Sequence, residues 1–157
     1  MNTVEYLREQ GLKVTPQRIA IYSMLSNTKS HPSAEDIYKE LLPTNPSMSL
    51  ATVYKTLDSF KSIGLIQELS VGSGKNNYDA DLSSHAHIVC LDCGNIYDLE
   101  VDISNQLNNI KDKIATEKSF IISHQQITFY SVCPTCKKSW YNLTSKKREN
   151  IFPLFFI

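Results

Sequence analysis

Hydrophobic and polar positions divide the chain into two stretches of different period. Up to Gly64 the apolar residues return every three or four positions, the spacing of one helix face. Beyond it they gather in short β-branched and aromatic clusters, the habit of strands. Thr15-Pro16 fits an N-cap followed by proline at the first helical position, where a missing N–H costs nothing. Ile19, Ile21, Tyr22 and Leu25 give that helix an apolar face up to Asn27. His31-Pro32 breaks the chain, and Ser33-x-x-Asp36 has the form of a capping box opening a helix through Leu42. Pro43 and Pro46 end it. Ser49 caps a third helix, running to Ile63 and stopped by Gly64. Leu50, Val53, Leu57 and Phe60 are its inward stripe; Ala51, Thr52, Tyr54, Lys55 and Asp58 form the outer face.

Two extended runs, Leu65 to Val71 and Lys75 to Asp79, flank Gly72-Ser73-Gly74 and predict a hairpin. Three short helices and a hairpin are the plan of a winged helix-turn-helix, whose third helix would enter a DNA major groove. A helical subdomain with a merely solvated polar face fits the same pattern.

From His87 the chain turns to strands. His87 to Leu91 and Asn95 to Leu99 flank Asp92-Cys93-Gly94 as a second hairpin. Asp102 then opens a helix with Ile103, Leu107, Ile110 and Ile114 on one face, and Phe120 to Val132 reads as one long strand or two shorter ones. A small sheet with a single amphipathic helix has a poor core of its own, which predicts completion by a symmetric homodimer. The fold class is therefore α+β. It comprises a winged helix over residues 1–79, a hinge over 80–84, a small α/β metal-binding dimerisation domain over 85–140 and a tail over 141–157. The tail carries Lys146-Lys147-Arg148, which reads as a solvated run.

Composition changes this picture only at the cysteines and histidines. Lys and Arg number 16 against 16 Asp and Glu, so bulk charge does not point to nucleic acid and any DNA binding must come from a local patch. There is no N-terminal signal pattern and no apolar run of membrane-spanning length; Ile151 to Ile157 is far too short. The expected location is the cytoplasm, with no membrane partner. All four cysteines fall in two Cys-x-x-Cys pairs, Cys90/Cys93 and Cys133/Cys136, the donor set of a closed structural zinc site. Four free thiols or a thiol–disulfide switch are the alternatives. With no open coordination position and no neighbouring general base, a catalytic zinc is not expected there.

His85 and His87 precede the first pair by a few residues, and strand alternation places both on one face. Asp79 closes the wing hairpin, Asp98 lies on the returning strand, and His31 sits at the Pro32 break. Imidazoles and carboxylates without thiolate suit Fe(II), Mn(II) or Zn(II). Taken singly, such a histidine or aspartate reads equally as a surface or capping residue.

Leu12 with Thr15-Pro16-Gln17-Arg18, His31-Pro32-Ser33-Ala34, Ser49-Leu50-Ala51-Thr52-Val53-Tyr54, Tyr78-Asp79, His85 through Gly94 and Cys133-Pro134-Thr135-Cys136 together resemble the ferric uptake regulator family, in the family's order. The resemblance implies a metal-dependent transcription factor, not an enzyme, with a regulatory metal at a hinge. The peroxide-sensing branch uses three histidines and two aspartates, which fall here on His31, Asp79, His85, His87 and Asp98. Iron-uptake regulators more often carry glutamates at those two acidic positions. They also tend to have an extra site built on a His-His-Asp-His run. Here that run reads Ser84-His85-Ala86-His87, and His124 matches one remaining ligand of the extra site. Both departures favour the peroxide sensor over a regulator of iron, manganese or zinc uptake.

The resemblance further implies that one Fe(II) or Mn(II) bound by all five ligands couples the two halves and favours DNA binding. DNA contacts fall on Ala51, Thr52, Tyr54 and Lys55 of the third helix and on Arg18, with an AT-rich palindromic operator as the partner. Hydrogen peroxide acting at bound iron would oxidise His31 or His85. A non-haem metal enzyme is the reading of a different class. It needs an open coordination position beside a substrate pocket, which nothing in the sequence proposes.

Overall fold

The computed structural model describes residues 2–70, 76–83, 85–99, 101–123 and 125–140. The expected wing tip at Gly72-Ser73-Gly74, Ser84 of the expected hinge, His124 and the tail over 141–157 lie outside the described residues. The chain divides into two compact units, Met1–Ser83 and Ser84–Ile157.

The first unit contains α1 (Thr3–Glu9), α2 (Pro16–Ser26), α3 (Ala34–Leu41), α4 (Leu50–Ser62), β1 (Gln67–Ser70) and β2 (Asn76–Asp79). The helix caps and the glycine stop read from the sequence are used. The Thr15 hydroxyl accepts from the Arg18 N–H at 3.3 Å and the Ser49 hydroxyl from the Thr52 N–H at 3.1 Å. Ser33 and Asp36 form a reciprocal capping box. At the far end of α4, Gly64 takes the left-handed conformation (φ 70°), letting the Leu65 N–H return to the Phe60 carbonyl at 2.9 Å. The inward stripe is confirmed: Val53, Leu57 and Phe60 are fully buried, with Leu50 packed at the margin. They join Ile21, Leu25 and Ile37 in one core, with the Tyr22 ring edge-on to Phe60 at 5.8 Å. β1 and β2 pair antiparallel in the register Gln67↔Asp79 and Leu69↔Asn77.

Helix α1 was not expected. Its signals are local and small: Asn2 accepts from the Val4 N–H, and one residue, Leu7, is buried in the core.

The second unit contains β3 (Ala86–Cys90), β4 (Ile96–Leu99), α5 (Ser104–Lys118), β5 (Ile127–Ser131) and α6 (Pro134–Trp140). Its sheet has the order β4-β3-β5, with β3–β4 antiparallel and β3–β5 parallel. A parallel pair needs a long crossover, and α5 lies in it. Three expectations are adjusted here. Asp102 does not begin α5 but accepts from the Ser104 N–H at 2.9 Å just before it. The long strand shrinks to Ile127–Ser131, and in the stretch before it Phe120 and Ile121 are exposed. Helix α6 starts at Pro134, where the sequence reading saw only a cysteine pair and an aperiodic tail.

No residue of α5 is buried, and Ile110 is 54% exposed although it lies on the expected apolar stripe. On the sheet, Phe129, Tyr130 and Tyr97 are also exposed. Among the described residues of this unit, many large apolar side chains are exposed.

Candidate metal centres

The four cysteines meet in the second unit. Their sulfurs all lie within 4.8 Å of one another, and Cys93 Sγ stands 3.9 Å from Cys133 Sγ. Four sulfurs bound tetrahedrally to one zinc at its usual bond length stand about 3.8 Å apart, so the cluster has the dimensions of that site. Cys90 ends β3, the turn carries Cys93, and Gly94 (φ 74°) returns the chain into β4. The second pair spans the start of α6, where i and i+3 positions face the same way.

Backbone N–H groups aim at the sulfurs: Cys133 N–H at Cys90 Sγ (3.3 Å) and Cys136 N–H at Cys133 Sγ (3.5 Å). The N–H of Cys136 draws the Cys133 thiol down to about 6. At Cys90 desolvation pushes the pKa up, but N–H donors from Cys93, Cys133 and Asp92 outweigh it and lower it. Cys136 goes the other way, held protonated by Asp92 and by Cys133. Four thiols at this spacing resist ionising together, and a divalent cation relieves that conflict. The donor set and the spacing both fit zinc.

Histidine and aspartate donors form a set in each unit. In the first, His31 and Asp79 are both buried, with His31 Nε2 at 3.5 Å from Asp79 Oδ2. In the second, His85 Nε2 stands 3.0 Å from His87 Nε2, and Asp98 Oδ1 lies 3.4 Å from the former and 3.8 Å from the latter. Register explains the second set: His87 sits opposite Asp98 across β3–β4, and His85 is two positions before His87. Adjacent ligand atoms on one octahedral ion stand about 3 Å apart, close to these separations. Neither set contains a thiolate. Nitrogen and oxygen donors of this kind fit Fe(II) or Mn(II).

Four of the five expected DNA-contact residues, Arg18, Ala51, Thr52 and Lys55, gather at one concavity of the first unit. A concavity of about 530 Å³ is lined by Lys13, Arg18, Thr52 and Lys55, with Ala51 and Gln17 beside them. Its lining holds three cations and no carboxylate. Arg18 is partly committed, donating to the Lys13 carbonyl at 2.8 Å and to the Ser59 hydroxyl at 3.3 Å. Tyr54 does not line the concavity. It stands exposed on α4 and donates its hydroxyl to Glu35 of α3 at 2.7 Å.

The sequence profile of the Ferric uptake regulator family matches residues 9–130. The chain belongs to the ferric uptake regulator family. Among its relatives, the peroxide operon regulator of Bacillus subtilis is 39% identical over 135 residues, which cover 86% of this chain and 91% of that protein. The solved peroxide stress regulator of Campylobacter jejuni is 32% identical, with 87% of this chain and 100% of that one covered and a TM-score of 0.68. The ferric uptake regulator of Pseudomonas aeruginosa, solved with manganese, is also 32% identical, with 85% and 99% covered and a TM-score of 0.70. Ferric uptake regulators thus share this chain's helices and small mixed sheet over nearly their full length. The family match contains Cys90 and Cys93 but ends before Cys133 and Cys136, so the second cysteine pair is placed by geometry.

Sequence reading missed several residues of these sites. Lys13 and Gln17 line the concavity, and their signal was available, since both flank the Thr15-Pro16 cap. Gln67 and Asn77, which touch the first unit's donors, gave no signal; each depends on strand register.

Proposed function

We propose that this member of the ferric uptake regulator family is a metal-dependent, DNA-binding repressor of peroxide-stress genes. Zinc is held by Cys90, Cys93, Cys133 and Cys136, and an exchangeable Fe(II) or Mn(II) by His31, Asp79, His85, His87 and Asp98. The observation that carries this reading is the separation of donors by type. All four sulfurs form one cluster, while the close imidazole–carboxylate sets contain no sulfur. Soft donors retain a structural ion; hard donors exchange theirs. The peroxide-regulator relatives support the choice of signal.

In this reading His31 and Asp79 of one unit and His85, His87 and Asp98 of the other are ligands of one ion. The DNA-competent form is favoured because only it supplies all five. Residues 80–84 serve as the hinge between a DNA-binding domain over 1–79 and a dimerisation domain over 85–140. The exposed apolar residues of the second unit, among them Ile110, Phe129 and Tyr130, support a symmetric homodimer formed there. Two α4 helices then face successive major grooves of an AT-rich palindrome. Thr52, Tyr54 and Lys55 contact bases, Ala51 lets the helix approach closely, and Arg18 contacts the backbone or a guanine. The protein works in the cytoplasm; among the described residues no helix is long and apolar enough to cross a membrane.

Iron held by these residues would relay electrons from the imidazole of His31 or His85 to hydrogen peroxide. The net change is insertion of one peroxide oxygen into a ring C–H bond, giving 2-oxo-histidine, with the other oxygen leaving as water. The altered ring loses its place as a ligand, and the repressor releases DNA. Mass spectrometry of iron-loaded and manganese-loaded protein after a peroxide pulse tests this. A gain of one oxygen on the His31 or His85 peptide is expected with iron only; cysteine oxidation in its place overturns it.

A second reading, a regulator of metal uptake without peroxide chemistry, is favoured by the likeness to the manganese-containing regulator from P. aeruginosa. Under it, the iron-loaded protein keeps its histidines intact and stays on DNA through the pulse.

A further inference from the structure

The candidate ligands of the first unit are held in place by two amides of the β1–β2 ribbon. Both oxygens of Asp79 accept from donors: Oδ2 from Gln67 Nε2 at 3.0 Å, and Oδ1 from the Asp81 N–H at 2.8 Å. Gln67 is the register partner of Asp79, and the same Nε2 reaches the Asp81 carbonyl at 3.0 Å, so its own orientation is fixed. The Gln67 amide and the His31 imidazole approach the same carboxylate oxygen.

His31 has a different constraint. Its backbone is left-handed, with φ 48°, which a side-chain-bearing residue adopts only when its surroundings over-determine it. Three contacts from β2 do so. Asn77 Nδ2 donates to the His31 carbonyl at 2.6 Å, the Tyr78 N–H to the Pro32 carbonyl at 3.1 Å, and Ser33 bridges to Asn77 in antiparallel fashion. Only the first is a side-chain contact that mutation can remove. Asn77 and Asp79 are two apart on β2, so one strand carries a candidate ligand and the clamp of the other.

We propose that Gln67 and Asn77 are positioning residues for the regulatory metal, Gln67 by orienting the Asp79 carboxylate and Asn77 by locking the left-handed His31 backbone. This rests on the reading that His31 and Asp79 ligate that metal. Groups that orient metal ligands commonly contribute ten- to a hundredfold in affinity. The ribbon is then part of the sensor. Any shift of β1 against β2 changes metal affinity, and by reciprocity metal binding stiffens the ribbon.

The test is titration of the full-length, zinc-loaded protein with Mn(II), counting free ion by electron paramagnetic resonance. Gln67→Met keeps the bulk and removes the donor; Asn77→Ala removes the clamp. Each is expected to weaken Mn(II) about ten- to a hundredfold. The thermal midpoint of the manganese-free protein should change little, and the signal of Mn(II) bound to Gln67→Met at saturation should be altered. Wild-type affinity in both variants, while Asp79→Ala loses the ion, overturns the positioning role and leaves the ligand reading intact. Retention of Mn(II) affinity by Asp79→Ala and His31→Ala overturns the ligand reading and the proposal with it. Affinity that falls only in step with the manganese-free midpoint assigns these amides to stability alone and also overturns the proposal.

Discussion

The Tyr54 hydroxyl donates to Glu35 Oε1 at 2.7 Å, tying the outer face of α4 to the first turn of α3. This bond, the largest cause of the raised Tyr54 pKa, fixes where the ring stands above the helix. In the proposed complex, a tyrosine whose hydroxyl is already donating would offer DNA its apolar ring, the surface that packs on a thymine methyl.

Tyr54→Ala is expected to weaken operator binding by about tenfold or more, the scale of one good base contact. Glu35→Ala should cause a smaller loss, and Glu35→Gln, which still accepts the hydroxyl, almost none. Fluorescence anisotropy with an operator and a scrambled duplex measures this; equal loss on both duplexes would assign Tyr54 to the backbone.

Lys55 and Arg18 line a concavity with no carboxylate, so the charge of each, Lys55 beside the bases and Arg18 at the backbone or a guanine in the proposed complex, adds to counterion release on binding. Lys55→Ala should reduce the slope of log affinity against log salt by about 1. Arg18→Ala should cost stability as well, because its guanidinium also bonds Lys13 and Ser59. Salt titrations of binding, with thermal melts of the free proteins, separate the two effects.

Replacing Cys93 by Ser leaves three thiolates around the zinc position. The expected outcome is loss of stoichiometric zinc and of cooperative unfolding in the second unit, while α1 to α4 keep their ellipticity. Zinc analysis and circular dichroism check this, and a strong chelator acting on the wild type should reproduce it.

Burial pushes Tyr78 up to about 12. The folded pKa lies above that of the unfolded chain, so the stabilisation is complete below about pH 10 and is lost as pH rises towards 12. The loss is on the order of 2 kcal/mol for the first unit. Tyrosinate absorbance should show Tyr78 and the likewise buried Tyr22 titrating after the exposed tyrosines. A Tyr78→Phe variant should be less sensitive to alkali.

Much of the fold was legible because its signals are local. Thr15, Ser33 and Ser49 cap helices through bonds spanning three residues, and Gly64 stops α4 within one turn. The donors of the second unit were legible for the same reason: strand alternation alone sets His85 beside His87. What the sequence hid is non-local. The left-handed conformation of His31 depends on a partner 46 residues away, Asn77, and nothing near His31 announces it. Helix α6 was missed because a cysteine pair and a proline read as metal-binding punctuation, although proline at the first helical position is common. In Phe120 to Val132, β-branched and aromatic composition promised more strand than forms. Among the described residues of that stretch, only Ile127–Ser131 pairs, along the edge of β3.

The cysteine cluster joins Cys90 to Cys133 across 43 positions of chain. Tying two points so far apart removes freedom from the disordered ensemble, a contribution of about 4 kcal/mol when reckoned as for a covalent cross-link. It acts where the strand pairing is most expensive to nucleate, since β3 and β5 are parallel and separated by a whole helix. During synthesis Cys90 and Cys93 wait as half a clasp until β5 and α6 have been made. With zinc as the ion of the proposed site, its supply would set how many newly made chains close their second half, a threshold passed once in the life of each molecule and before it could report on anything else.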